Sequence, residues 1–199
     1  MKKKSGTTLG LTAGLILVLA SLASAQAKND FPNTGAAVPP VPNASENYLL
    51  NYTGGVPDAI QGALDADDST YNRVLNNCTG LSGVGTAVFY DTISITNSAF
   101  GTATFIAETS NQGTPGVCAT IDTFLTAYRP TFNPASPLTN CVAADDDTGP
   151  GNCSRMTFTV PLPGTAVMVA SSFSNGAQFP YQVNFTGTTP AELTRFKVE

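Results

Sequence analysis

Histidine and tryptophan are absent from all 199 residues of the chain. Without an imidazole there is no Ser-His-Asp or Cys-His arrangement for nucleophilic catalysis, and no His-Glu-x-x-His metalloprotease helix. Zinc loses its usual nitrogen ligand, and no Cys-x-x-Cys supplies a sulfur spacing in its place. A glycosidase needs only two carboxylates, but nothing marks two of the 14 acidic residues as partners, and the indole platform that commonly stacks on sugar rings is missing. The chain therefore reads as non-enzymatic. Charge is scarce as well, at 12% of residues, and cations number only nine. Three of those nine are Lys2, Lys3 and Lys4, so the remainder of the chain carries six basic residues against 14 acidic ones. Such a balance repels phosphate backbones and excludes nucleic acid as a natural partner.

The three lysines open a leader with the features of a secretory signal. An apolar stretch from Leu9 to Leu22 follows, then Ala23-Ser24-Ala25 as a small-x-small cleavage site. Cleavage after Ala25 is expected, leaving no membrane span and a secreted or periplasmic location. Residues 26–45 hold Pro32, Pro39, Pro40 and Pro42 and are expected to form a disordered spacer. Residues 46–190 are then one domain, and 191–199 a short strand or tail whose Arg195, Lys197 and Glu199 would discourage pairing at a sheet edge.

Within the domain the dominant signal has period two. Thr86 to Asn97 is rich in β-branched and aromatic residues with Ile93 and Ile95 on one face, and Asp91 interrupts its phase, predicting a bulge or a polar rim position. Ala103, Phe105 and Ala107 share a side, and Met156, Phe158 and Val160 alternate with Thr157 and Thr159. Further strands are expected over Tyr48–Thr53, Thr120–Tyr128, Thr165–Phe173 and Tyr181–Thr186, with turns at Pro161–Gly164 and Ser174–Gly176. Pro57 to Ala66 has weak helical character. About eight strands with no strongly periodic helix predict an all-β, antiparallel two-sheet sandwich, a closed barrel being the rival.

Four cysteines, Cys78, Cys118, Cys141 and Cys153, give an even count in an exported chain, so two disulfides are expected in one of three connectivities. Cys141 and Cys153 bracket the loop between two β-prone runs. Their pairing would close a short hairpin and leave Cys78 for Cys118. Inside that loop stand Asp145, Asp146 and Asp147, whose mutual repulsion asks for a cation or for hydrogen-bond donors. Alternation puts Asp145 and Asp147 on one side, so these two with Asn152 are the candidate calcium ligands, a hard cation requiring oxygen. The competing reading is a solvated turn in which the aspartates accept bonds from nearby N–H groups or from Arg155. Asp65, Asp67 and Asp68 form a second, weaker acidic knot.

Several segments, in order, resemble the bacterial pre-peptidase C-terminal domain family. They are Asp122-Thr-Phe-Leu-Thr-Ala-Tyr128, Phe132-Asn-Pro-Ala-Ser-Pro-Leu-Thr-Asn140, Val142-Ala-Ala-Asp-Asp-Asp-Thr-Gly149, Ser154-Arg-Met-Thr-Phe158, Pro163-Gly-Thr165, Ser171 to Gly176 and Tyr181 to Gly187. Thr70 to Arg73 and Tyr90 to Ile95 are similar to the front half of the same module. The resemblance implies a jelly-roll-like sandwich outside the cytoplasm, without catalysis of its own, in a family where related collagenase modules bind collagen and calcium. The expected role is thus a secreted module that binds an extracellular polymer or protein surface, with calcium as a structural ion. A structural or accessory cell-surface role is the alternative.

Overall fold

The computed structural model describes residues 47–52, 58–99, 101–112 and 118–188. The expected signal, spacer and C-terminal tail lie outside the described residues. Ten strands form among the described residues: β1 (Asn47–Tyr52), β2 (Asp58–Leu64), β3 (Thr70–Tyr71), β4 (Val88–Asn97), β5 (Ala103–Asn111), β6 (Thr123–Tyr128), β7 (Cys141–Asp145), β8 (Arg155–Val160), β9 (Gly164–Ser172) and β10 (Phe179–Thr188). They make two sheets. One runs β1-β4-β9-β6-β7 with β3 also on β4, and the other runs β2-β10-β5-β8. The expected two-sheet sandwich is what forms. Its pairings are antiparallel except that of β1 with β4, which is parallel.

Alternation explains the core. Ala103, Phe105 and Ala107 of β5 and Met156, Phe158 and Val160 of β8 turn inward, and the Phe105 and Phe158 rings stack with centroids 5.5 Å apart. Ile93 and Ile95 of β4, Leu125 and Ala127 of β6, and Met168 and Ala170 of β9 meet them from the other sheet. Each fully buried large side chain contributes roughly 1.5–3 kcal/mol of hydrophobic stabilisation.

Two expectations about the strands are corrected. The described part of the weakly helical stretch is a strand: β2 occupies Asp58–Leu64 and pairs with β10 from Phe185 to Phe179. Ile60 and Leu64, both buried, are four residues apart, a spacing that satisfies one helix face and one strand face equally well. Asp91 makes neither a bulge nor a rim. The β4–β9 register is unbroken from Tyr90↔Ser171 to Asn97↔Gly164, and Asp91 faces inward, fully buried, accepting a 2.7 Å hydrogen bond from the Tyr181 hydroxyl. A partner on a distant strand, not a change of phase, accommodates the carboxylate.

All six residues of β6 are buried, which one inward face cannot produce. The outward face of its sheet carries a second, smaller core of Tyr71, Val88, Tyr90, Tyr128 and Val169, covered by Phe132 from the loop after β6. The rings of Tyr71, Tyr90 and Phe132 meet edge to face, each pair 5.3 Å apart.

Candidate functional site

The chain between β7 and β8 does not form the expected hairpin. β7 is the edge of the larger sheet and β8 the edge of the smaller one, so residues 146–154 cross from sheet to sheet. Side chains, not a backbone ladder, tie the two ends. The Asp145 carboxylate, 7% exposed, accepts from the Arg155 N–H at 2.7 Å and the Thr148 N–H at 3.2 Å, while the Thr148 hydroxyl donates to the Arg155 carbonyl at 2.6 Å. Arg155 itself pairs with Glu108 at 3.3 Å.

The expected disulfide pairing is also corrected. Cys118 joins Cys153 and Cys78 joins Cys141. Because the segment is a crossover, Cys141 and Cys153 start and end in different layers, and each is bridged to a neighbour in its own surroundings. Cys153 sits against the Gly-Pro-Gly turn: the Gly149 N–H donates to the Cys153 carbonyl at 2.9 Å, and a Cβ on Gly149 would lie 2.7 Å from that oxygen. Gly151, at φ +68°, adopts a left-handed conformation beside Cys118, with which it forms an isolated bridge.

The structure gathers a different acidic set from the one the sequence suggested. Asp145 is taken up by the turn. Asn152 is exposed, and its backbone carbonyl accepts from the Thr123 N–H and hydroxyl. The carboxylates that converge are Asp122, Asp146 and Asp147, one oxygen of each lying within 4.8 Å of the others. Register explains why. Leu125 pairs with Asp145, so the chain entering β6 at Asp122 runs beside the chain leaving β7 at Asp146 and Asp147. The extended alternation that placed Asp145 with Asp147 ends at the bend after β7. No local pattern could single out Asp122 and Asp146, since their meeting depends on the pairing of β6 with β7.

Electrostatics at this cluster are unfavourable to three free carboxylates. Burial, reinforced by Asp147, pushes the Asp146 carboxyl up to about 6, against the opposing pull of Arg73. Asp122 is raised as well, again first by burial and then by Asp147. The Oδ1 of Asp146 is buried and has no hydrogen-bond partner. Arg73, 3% exposed, is held between the Phe124 and Phe173 rings at 4.2 and 4.5 Å, its Nε donating to the Phe173 carbonyl at 2.8 Å. Its charge offsets part of the cluster's repulsion while its donors serve the backbone. The second acidic knot is a turn: the Asp65 N–H donates to Asp68 Oδ2 and the Asp67 N–H to Asp65 Oδ1, at 2.8 and 2.9 Å.

An open groove of about 370 Å³ lies between β7 and β8, lined in part by Asn76, Asn77, Val142, Asp145, Arg155 and Thr157. Asp145 is the one carboxylate on its walls and is committed to two backbone N–H groups, so the groove presents no acid pair.

No family model matches the chain, and no curated protein matches it. Among solved structures, the chain is similar to the pre-peptidase C-terminal domain of collagenase from Bacillus anthracis, at 16% identity and a TM-score of 0.40, over 74% of this chain and 100% of that one.

Proposed function

We propose that this chain is an exported, non-catalytic β-sandwich module that binds an extracellular polymer or protein surface and uses calcium as a structural ion. The observation that carries the ion is the convergence of Asp122, Asp146 and Asp147 around a buried, unpartnered Asp146 oxygen. A carboxylate oxygen that has lost water and gained no donor is poorly stabilised, and a hard cation satisfies it. Calcium takes six to eight oxygens, so these three residues would supply part of the shell and carbonyls or water the rest. By neutralising the repulsion, the ion would hold the start of the crossover against the entry to β6. Two disulfides suit an oxidising compartment outside the cytoplasm.

Thermal unfolding with millimolar calcium against chelator tests the ion. A rise in melting temperature that Asp146→Asn abolishes is expected, and no shift at millimolar calcium overturns it. Binding is tested separately by pull-down on collagen and on polysaccharides. Retention on one class supports the module reading. Failure on all of them favours the accessory role at the cell surface.

A further inference from the structure

The two disulfides differ in access. Cys118 and Cys153 are 1% and 0% exposed and adjoin a buried hydroxyl network in which Thr109 and Thr123 meet at 2.6 Å and Thr123 and Ser154 at 3.0 Å. Cys78 and Cys141 are both partly exposed. Cys78 follows the exposed Leu75, Asn76 and Asn77, and it also lines the groove between β7 and β8. Its backbone is held at φ +57°, a left-handed conformation that is unfavourable for a residue with a Cβ and persists only where the surroundings enforce it. Thiol–disulfide exchange needs a thiolate to reach a sulfur, so exposure sets which bridge reacts first.

We propose that Cys78–Cys141 is a selectively reducible latch, holding the loop of residues 75–81 to the edge strand β7, while Cys118–Cys153 is a permanent staple of the sandwich. The reductant is a dithiol. One of its sulfurs attacks a sulfur of the bridge as thiolate, giving a mixed disulfide and releasing one protein thiolate. Its second sulfur displaces the other protein sulfur. The dithiol ends as a cyclic disulfide, having given up two electrons and two protons, and Cys78 and Cys141 end as thiols.

The base of the loop does not depend on the bridge. Arg73 is clamped between two rings, its N–H donates to the Gly85 carbonyl at 2.9 Å, and the Ser82 N–H donates to the Arg73 carbonyl at 2.8 Å. Its tip is held less well: the Leu75 N–H donates to the Gly80 carbonyl and the Cys78 N–H to the Leu75 carbonyl, both bonds within the loop itself. Reduction therefore frees the tip between the exposed Leu75 and Leu81, the latter bridged to the buried Val74 at the base, from the β7 edge beside the exposed Val142, and moves one wall of the groove. The sandwich beneath keeps its own staple.

The test is graded reduction of the native protein with dithiothreitol, followed by alkylation and mass-spectrometric mapping of the four cysteines. Thermolysin cleavage within residues 75–81 and far-ultraviolet circular dichroism are read in parallel. Cys78 and Cys141 should label at least about tenfold faster than Cys118 and Cys153, with loop cleavage appearing in step and strand signal retained. Simultaneous labelling of all four, earlier labelling of Cys118 and Cys153, or labelling without new cleavage would overturn the latch. The double variant Cys78→Ala/Cys141→Ala should fold, show loop cleavage without reductant, and be indifferent to low dithiothreitol. Its failure to fold would equally overturn the proposal, since the bridge would then be part of the staple.

Discussion

The two faces of the larger sheet are built by different means. Its inner face is covered by another sheet, and the contact is made mainly by aliphatic side chains and phenylalanines that alternate along regular strands, with Tyr48 and Tyr181 among them. Its outer face is covered by loops, and there the contact is made by three tyrosines around Phe132, with Arg73 stacked on Phe124 close by. Amphipathic rings suit the second setting because one end can be dry while the other meets polar atoms. A sheet-on-sheet core is generated by a period of two and hardly needs to know its partner. A loop-on-sheet core exists only where one particular loop lands.

That contrast can be broken from either side. The largest effect is expected in the inner core: Phe105→Ala should cost about 4 kcal/mol, because a fully buried ring stacked on Phe158 leaves a cavity that two packed sheets cannot close. Urea unfolding measures it, and a loss under about 1 kcal/mol would mean the inner face is not the principal core. Next comes the crossover that joins the sheets. Asp145→Ala should cost about 2 kcal/mol by stranding two backbone N–H groups, with Asp145→Asn recovering part of it; equal losses for the two variants would count against the hydrogen-bond account. In the outer core Phe132→Ala should cost about 1.5 kcal/mol, less than Phe105→Ala because Phe132 is only partly buried and the loop can settle. The near-ultraviolet signal of the surrounding tyrosines should change while the strand signal stays.

The subtlest effect is on pH dependence. Asp146 has a folded-state pKa near 6, above its ordinary value of 3.8, so the native state binds the proton more tightly than the unfolded state. Its contribution to stability is therefore greatest below about pH 4 and is lost as pH rises through 6. In chelator, the melting temperature should rise between pH 7 and pH 5, a slope that Asp146→Asn should flatten. Saturating calcium at pH 7 should recover the loss, and an unchanged slope in the variant would remove Asp146 as its source.

The inner face was legible from alternation alone: the strands that hold Ile93, Phe105, Phe158 and Val183 were all readable, as was their arrangement in two sheets. Asp91 was misread because its partner, Tyr181, is 90 residues away. The acidic site was half legible. Repulsion among Asp145, Asp146 and Asp147 marked the right stretch, but the members that converge were chosen by strand pairing and the crossover. The groove was not legible, since its walls come from two sheets and the loop of residues 75–81.

By itself, then, the sequence determined the fold class, the exclusion of imidazole chemistry and the pairing of all four cysteines in some arrangement. These follow from composition and from a period of two, which act locally. The placement of β7 and β8 in different sheets emerges only from the folded arrangement, and with it which cysteines meet, which aspartates converge, and that an outer core exists at all. Those are contacts between residues distant in the chain. Their partners are selected by register and by the side of the sandwich to which the chain crosses, and no window of neighbouring residues carries that information.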